Sequence, residues 1–231
     1  MGNLIIKIKQ IVKAFNDTIM GNYETDKNIV ITNSCYHECG HTVVAYIFSN
    51  IFEIEFVSLK SAVIVQYDPK AVGGLKGKAK KKFEELTNQE LDMLFLIFLA
   101  GFCTDEIVNS NMQITEDFFD PKIYTQRLSN IIYEGDNELM CSFLCKLFNI
   151  QANPQKDVRP YYVSSMRLLY NILTDKTVFQ TLTALAKTLM NSQQQTMSGV
   201  EIKTFLDSSE LSKWIEANEK QLFEKREELY D

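Results

Sequence analysis

The segment His37-Glu38-Cys39-Gly40-His41 determines how the rest of this chain is interpreted. Residues four apart lie on one face of an α-helix, so the two imidazoles can reach the same ion. Glu38 follows the first imidazole and can touch a water on that ion without having to ligate it. The chain has only two histidines, and both are in this segment. The spacing predicts a zinc site with His37 and His41 as ligands and Glu38 as the general base.

The flanks of this segment predict a helix followed by strands. Asn33 or Ser34 can act as the N-cap, and apolar residues continue along one side to about Phe48. The pattern then changes to β-forming residues over 51–67, which predicts two strands. Residues 68–82 are rich in glycine and lysine and predict a mobile loop with solvated lysines.

The rest of the chain is predicted to be mainly helical. Apolar residues recur at helical spacing from Leu86 to Val108. Further helices are predicted at 115–133, 138–148, 158–173, 177–190, 198–206 and 209–229. Residues 1–32 are expected to be an N-terminal helix and lead-in, and residues 33–231 one domain, helical from about 135 onward. The predicted class is α+β, mainly α-helical: a zincin-like helical domain with a small β-sheet after the motif helix.

A catalytic zinc ion needs a third protein ligand and an open position for water. The chain has no third histidine, and Cys39 points away from the imidazole face of the helix. A distant carboxylate is therefore expected, and the segment 115–120 offers two candidates. Either Glu116 is the ligand and Asp120 supports it, or Asp117 is the ligand at the start of a helix. The chemistry of oxygen ligands does not separate these alternatives.

Composition excludes several other classes of protein. The net charge of −6 is spread along the chain, which argues against nucleic acid as a partner. No apolar run is long enough to span a membrane. The five cysteines lack the spacing of a disulfide framework or a metal site, so free thiols and a cytoplasmic location are expected. Cys141 and Cys145 share one helical face and are expected to pack in the core.

Five segments occur in the order and spacing of a known peptidase family. His37–Ala45 is similar to that family's His-Glu-Ala-Gly-His-Ala-hydrophobic-Val-Ala segment, and Leu99–Val108 is similar to its Leu-Gly-Gly-Arg-Ala-Ala-Glu-Glu-Ile-Val segment. Residues 57–63 match its strand-turn-strand. Residues 115–118 match its run ending in Asn-Asp-hydrophobic, and residues 185–202 match its C-terminal helix pair. From about Asn33 to Leu206, the chain resembles the proteolytic domain of the FtsH-type, ATP-dependent zinc metalloproteases.

This resemblance implies a zinc-dependent endopeptidase with Zn²⁺ as its cofactor and a polypeptide as its substrate. It also implies that Asp117 is the third ligand. Asp105 or Glu106, which match the paired acids of the family, would then support the ligands by hydrogen bonding from behind. Two departures lie within these segments: Phe102 stands in place of an arginine, and Thr42 in place of an alanine.

A further departure concerns the substrate. The sequence contains no nucleotide-binding module, because Gly73–Ala79 has neither the glycine spacing nor the Ser or Thr of a phosphate loop. We therefore expect cleavage of flexible or unfolded segments, by a homo-oligomer or with a separate unfoldase as partner. Peptidases commonly bind substrate as an added strand. The strand expected at Ser61 to Val65 is either an edge strand that binds substrate or an internal strand of the sheet. If it is the edge, the candidate substrate-binding residues are Ser61, Ala62, Val63 and Ile64.

An alternative function is a catalytically inactive binding or adaptor protein that keeps the fold and a structural or vestigial metal site. The missing nucleotide-binding module motivates this alternative. So does the segment Gln113 to Glu116 before Asp117, which lacks the Gly and Asn of the family. The intact motif argues against it, because Glu38 serves chemistry and is not needed for coordination. The sequence favours the enzyme.

Overall fold

The computed structural model describes residues 27–59, 74–110, 112, 115–119, 134–150, 152, 155 and 157–223. Within these residues the chain forms seven α-helices and a three-stranded sheet. In chain order they are α1 (Lys27–Ile47), β1 (Phe52–Ser58), β2 (Gly74–Ala79), α2 (Asn88–Asn109), α3 (Glu134–Leu147), α4 (Arg159–Thr174), α5 (Lys176–Asn191), β3 (Thr196–Ser198), α6 (Gly199–Asp207) and α7 (Leu211–Phe223). The predicted class, mainly helical with a small sheet, is confirmed at this level.

The motif helix α1 begins earlier than predicted. It runs unbroken from Lys27 through Asn33 and Ser34, so neither residue is an N-cap. Helical structure therefore extends into the predicted lead-in, and the amphipathic helix expected nearer the N-terminus lies outside the described residues. One side of α1, including Val43 and Val44, is fully buried against α2 and α5. This burial of an apolar side fixes α1 in the core.

Two glycines allow α1 and α2 to pack closely. A Cβ atom at Gly40 on α1 would lie 2.1 Å from Oγ1 of Thr104 on α2. A Cβ atom at Gly101 on α2 would lie 2.3 Å from Nε2 of His41. Both distances are far below van der Waals contact, so any larger residue at either position would push the helices apart. The motif helix is thereby held directly against α2.

The sheet has the order β2-β1-β3, and both pairs are antiparallel. The first strand predicted after the motif helix is confirmed as β1. The second predicted strand, which includes Ser61 to Ile64, lies outside the described residues. A loop was predicted over 68–82, and for residues 74–79 that prediction is wrong, because they form β2.

Cross-strand contacts explain why such a glycine- and lysine-rich segment forms a strand. Lys76 and Lys78 pair with Glu55 and Glu53 of β1 on the solvent side of the sheet. A Cβ atom at Gly77 would lie 2.3 Å from the ring of Phe52, so glycine is what lets that aromatic ring pack over β2. The β-propensity of β2 is low, and its pairing with β1 overrides that propensity.

Two helices begin with capping boxes whose residues can be recognised in the sequence. Thr87 and Glu90 form a capping box at the start of α2, and Ser198 and Glu201 form another at the start of α6. Of the helix predicted over 115–133, the described part is a 3₁₀ turn, Glu116–Phe119. None of the helices in the described residues has the length and apolar composition needed to cross a bilayer.

All five cysteines lie within the described residues, and none is in a disulfide. Cys35, Cys39 and Cys103 are buried. Cys141 and Cys145 are exposed, so the prediction that they pack in the core is wrong. The inward face of α3 is formed instead by Met140, Phe143 and Leu147, which turns both thiols outward.

Candidate metal centre

Three potential ligand atoms converge at the motif helix. Nε2 of His37 and Nε2 of His41 are 3.0 Å apart, and Oδ2 of Asp136 lies 3.3 and 3.2 Å from them. For a tetrahedral zinc ion with bonds of about 2.0–2.1 Å, neighbouring ligand atoms are separated by roughly 3.3–3.4 Å. The three atoms therefore have nearly the spacing of one face of a zinc tetrahedron, and a fourth position is left for water or substrate.

Residues of α2 orient each imidazole by contacting its Nδ1 atom. Nδ1 of His37 lies 2.8 Å from Oδ2 of Asp105, and Nδ1 of His41 lies 2.6 Å from the carbonyl oxygen of Ile97. If Nδ1 carries the proton and donates it to these acceptors, Nε2 keeps its lone pair, which is directed at the carboxylate of Asp136. Of the two acids predicted to support the ligands, Asp105 is the one against His37, and Glu106 is half-buried one position further on. The two acceptors thus favour the tautomer that metal binding requires.

Glu38 is buried beside the imidazoles and is not one of the three convergent groups. Its burial raises the pKa of the carboxyl group, while the two histidines act in the opposite direction. The backbone N–H of Leu75 on β2 donates a hydrogen bond to the Glu38 carboxylate. Glu38 is therefore positioned between the imidazole pair and the sheet, and a carboxylate there with a raised pKa is suited to accept and release a proton.

Electrostatics at the centre favour a cation. Burial lowers the pKa of His37, but the carboxylate of Asp105 and then that of Asp136 raise it well above the ordinary value. The pKa of His41 is raised in the same way, chiefly by Asp136. Burial raises the pKa of Asp136, and the two histidines more than offset this, so its pKa is lowered. Three carboxylates surround two imidazoles, and protons or a divalent cation can offset that negative charge.

Asp136 was not among the residues predicted from the sequence. It is in the first turn of α3, 95 residues after His41, with a side chain that is 25% exposed. The chain contains 30 acidic residues, and no spacing rule marks this one. The sequence feature that could have pointed to Asp136 is weak: it is an acidic residue at the start of a helix whose apolar side faces the core.

The two predicted third ligands lie in the 3₁₀ turn Glu116–Phe119. The carboxylate of Glu116 is exposed and pairs with Arg167 of α4 at 2.6 Å. The guanidinium of Arg167 also lies 4.5 Å from the centre of the Phe119 ring, which anchors the turn on α4. Glu116 is thus engaged on α4 and is not in the convergent group. The side chain of Asp117 lies outside the described residues, as does Asp120, so Asp117 as a ligand stays a prediction.

No protein-family model matches this chain, and a search of curated proteins finds no match. The similarity to FtsH-type peptidases therefore depends on the sequence segments quoted above.

A pair of matched variants distinguishes the two candidate third ligands. We expect Asp136→Asn to weaken zinc binding by more than about 100-fold, because a neutral amide oxygen replaces a charged ligand. We expect Asp117→Asn to leave zinc affinity within about threefold of the wild type. Competition with a chromophoric chelator measures both affinities. If Asp117→Asn weakened zinc binding and Asp136→Asn did not, the third ligand would be Asp117.

Zinc binding should strengthen as the pH rises. Zinc and a proton compete for the same Nε2 atoms, and both histidines have a raised pKa. Each displaced proton changes the apparent affinity by about tenfold per pH unit below that pKa. We expect the zinc-dependent increase in Tm to be small near pH 5.5 and to grow towards pH 8.

The chelator-treated protein is the control for this pH dependence. Without metal, protonated imidazoles beside carboxylates stabilise the fold. That contribution is complete below the unfolded pKa of about 6.5 and is lost as the pH rises through the raised folded values. From these histidines, the metal-free protein should therefore lose stability above about pH 6.5, so the difference in Tm between the two preparations should grow as the pH rises. A zinc effect on Tm that is independent of pH would contradict coordination by His37 and His41.

Gly101→Ala tests the contact between α2 and the imidazoles. The added methyl group would lie 2.3 Å from Nε2 of His41, so we expect zinc affinity to fall by at least about tenfold. Gly199→Ala is the matched control. Its methyl group would lie 2.1 Å from the carbonyl oxygen of Ile54 in the sheet, so it should lower Tm without changing zinc stoichiometry. Equal zinc affinity in Gly101→Ala and wild type would argue against this geometry.

Proposed function

We propose that this protein is a zinc-dependent endopeptidase. The observation that carries the proposal is the convergence of Nε2 of His37, Nε2 of His41 and Oδ2 of Asp136 within 3.3 Å of one another, beside the buried Glu38. Two imidazoles and one carboxylate are a common ligand set of catalytic zinc, and they leave one coordination position open. Structural zinc sites usually have four protein ligands, so this set favours a catalytic role.

The chain's own residues supply the proton transfers that peptide hydrolysis needs. When bound, zinc polarises the scissile carbonyl and lowers the pKa of the attacking water. Glu38 takes a proton from that water as general base and passes it to the nitrogen of the leaving amine as general acid. Asp105 holds the ring of His37 in one orientation, and the carbonyl of Ile97 does the same for His41. The ligands therefore need no rearrangement during the reaction.

The substrate we propose is a flexible or unfolded polypeptide segment. Within the described residues β2 is an outer strand of the sheet, and the Leu75 N–H reaches Glu38. A peptide added along the outer edge of β2 would pass close to the metal centre in an extended conformation. The predicted substrate-binding residues Ser61 to Ile64 lie outside the described residues. Folded proteins offer few extended segments, so the partner we propose is a separate unfoldase or further copies of the chain.

The five free cysteines support a reducing compartment. A cytoplasmic location is therefore part of the proposal. The exposed positions of Cys141 and Cys145 add to this argument, because exposed thiols persist where the surroundings are reducing.

The second candidate is a binding or adaptor protein with a structural metal. One observation favours it: Asp136 is on α3, whereas the histidines are on α1, so a bound ion would fix two separate helices together. Removing such an ion would destabilise the fold. Coordination alone has no use for Glu38, however, and burying a carboxylate that does not coordinate the metal is costly. Glu38 therefore distinguishes the two candidates.

Glu38→Gln tests the proposed function directly. We expect this variant to bind zinc like the wild type and to lose casein or peptide hydrolysis by at least about 100-fold, because an amide cannot accept the proton. Glu210→Gln is the matched control, since Glu210 is exposed and pairs with Lys213 away from the centre. It should keep full activity. Undiminished hydrolysis by Glu38→Gln would overturn the mechanism.

Failure of both the wild type and Glu210→Gln to hydrolyse casein would have a different meaning. If zinc still raised Tm in both proteins, the metal would be structural. The adaptor function would then replace the enzyme.

A further inference from the structure

A row of aromatic rings begins at the metal centre. The Phe98 ring on α2 is centred 6.4 Å from the His41 ring and 5.6 Å from the Phe143 ring on α3. The ring of Phe143 is centred 6.0 Å from that of Phe83, in the turn after β2. Leu139 precedes Phe143 by one helical turn and lies on the same face of α3. We refer to these four residues, Phe98, Phe143, Phe83 and Leu139, as the apolar wall.

Part of the apolar wall is open to solvent. Phe83 is 39% exposed and Leu139 is 42% exposed. Within the described residues only four large apolar side chains are exposed to this degree, and the wall contains two of them. Phe98, next to His41, is half-buried. Apolar side chains grouped beside a polar centre are typical of ligand-binding sites.

The wall is held in place between α3 and the sheet. The ammonium group of Lys146 on α3 donates a hydrogen bond to the carbonyl oxygen of Phe83 and lies 4.7 Å from the centre of its ring. The ring of Phe52, which packs over Gly77 of β2, is centred 6.3 Å from that of Phe98. The wall therefore adjoins β2, whose Leu75 N–H reaches Glu38.

We propose that the apolar wall selects substrate segments that carry a large apolar side chain, aromatic above all, next to the bond that is cut. This inference rests on the proposed peptidase function. An extended peptide on the edge of β2 directs alternate side chains to one face. The wall runs from His41 to Phe83 in the turn after β2, so it is close both to the metal centre and to that strand. Large apolar side chains are buried in folded proteins and exposed in unfolded ones. The wall would thus direct cleavage to unfolded chains.

Binding and cleavage are measured separately to test this. Two quenched fluorogenic peptides are compared, identical except for Phe or Ala next to the scissile bond. The zinc-loaded wild type should cut the Phe peptide with a kcat/KM at least about tenfold higher than the Ala peptide. The zinc-loaded Glu38→Gln variant should bind the Phe peptide more tightly by a similar factor, measured by fluorescence anisotropy.

Variants of the wall connect this preference to its residues. Phe98→Ala should reduce the Phe-to-Ala ratio to about threefold or less. If Phe98→Ala does not fold, the double variant Phe83→Ser/Leu139→Ser tests the exposed part of the wall without opening the core. Val200→Ser is the matched control, because Val200 is 77% exposed on α6 and outside the wall. It should keep the wild-type ratio.

The outcomes separate this inference from the proposed function. Cleavage of both peptides at equal rates, or a preference that the wall variants do not change, would overturn the inference and leave the peptidase standing. Selective binding of the Phe peptide without cleavage by the wild type would support the wall and overturn the peptidase. If the protein shows neither selective binding nor cleavage, both the inference and the proposed function are overturned.

Discussion

The candidate site depends on the close contact between α1 and α2. At Gly101 the backbone of α2 approaches the imidazoles more closely than any side chain would allow, and at Gly40 the backbone of α1 does the same against Thr104. This approach lets α2 supply both supports of the imidazole pair, the Asp105 carboxylate and the Ile97 carbonyl. A separation larger by one methyl group would remove these supports. The ligand geometry therefore follows from backbone packing as much as from the motif.

Charge is the second constraint on the centre. Glu38, Asp105 and Asp136 all lie at the imidazole pair, and the first two are buried. Burying uncompensated carboxylates is expensive, so the fold needs positive charge at this point. Protonated imidazoles can provide it at low pH, and a divalent cation can provide it when the imidazoles are neutral. Either source of positive charge would stabilise the cluster, and on the proposed function only the divalent cation would support chemistry there.

The sequence predicts local features of this protein well and long-range ones poorly. The motif helix, α2 and β1 were predicted because helical spacing and runs of β-forming residues can be recognised within short segments. The strand β2 was missed because its formation depends on glutamates and an aromatic ring of β1. His37 and His41 meet because they are four positions apart on one helix, and the resemblance directed attention to Asp105. Asp136 had no such signal, since its approach to His41 depends on how α3 packs against α2.

The position of α3 has a consequence for both proposals. One helix carries the carboxylate of Asp136 in its first turn and the wall residues Leu139 and Phe143 in its next two turns. A helix moves as a nearly rigid unit, so a side chain that packs against the wall also influences where the carboxylate lies relative to the imidazoles. Lys146 connects the last turn of α3 to the Phe83 carbonyl, which links the same helix to the segment after β2. If both proposals hold, α3 would therefore connect substrate contact to the geometry of the metal ligands, since Asp136 and the wall residues belong to the same helix.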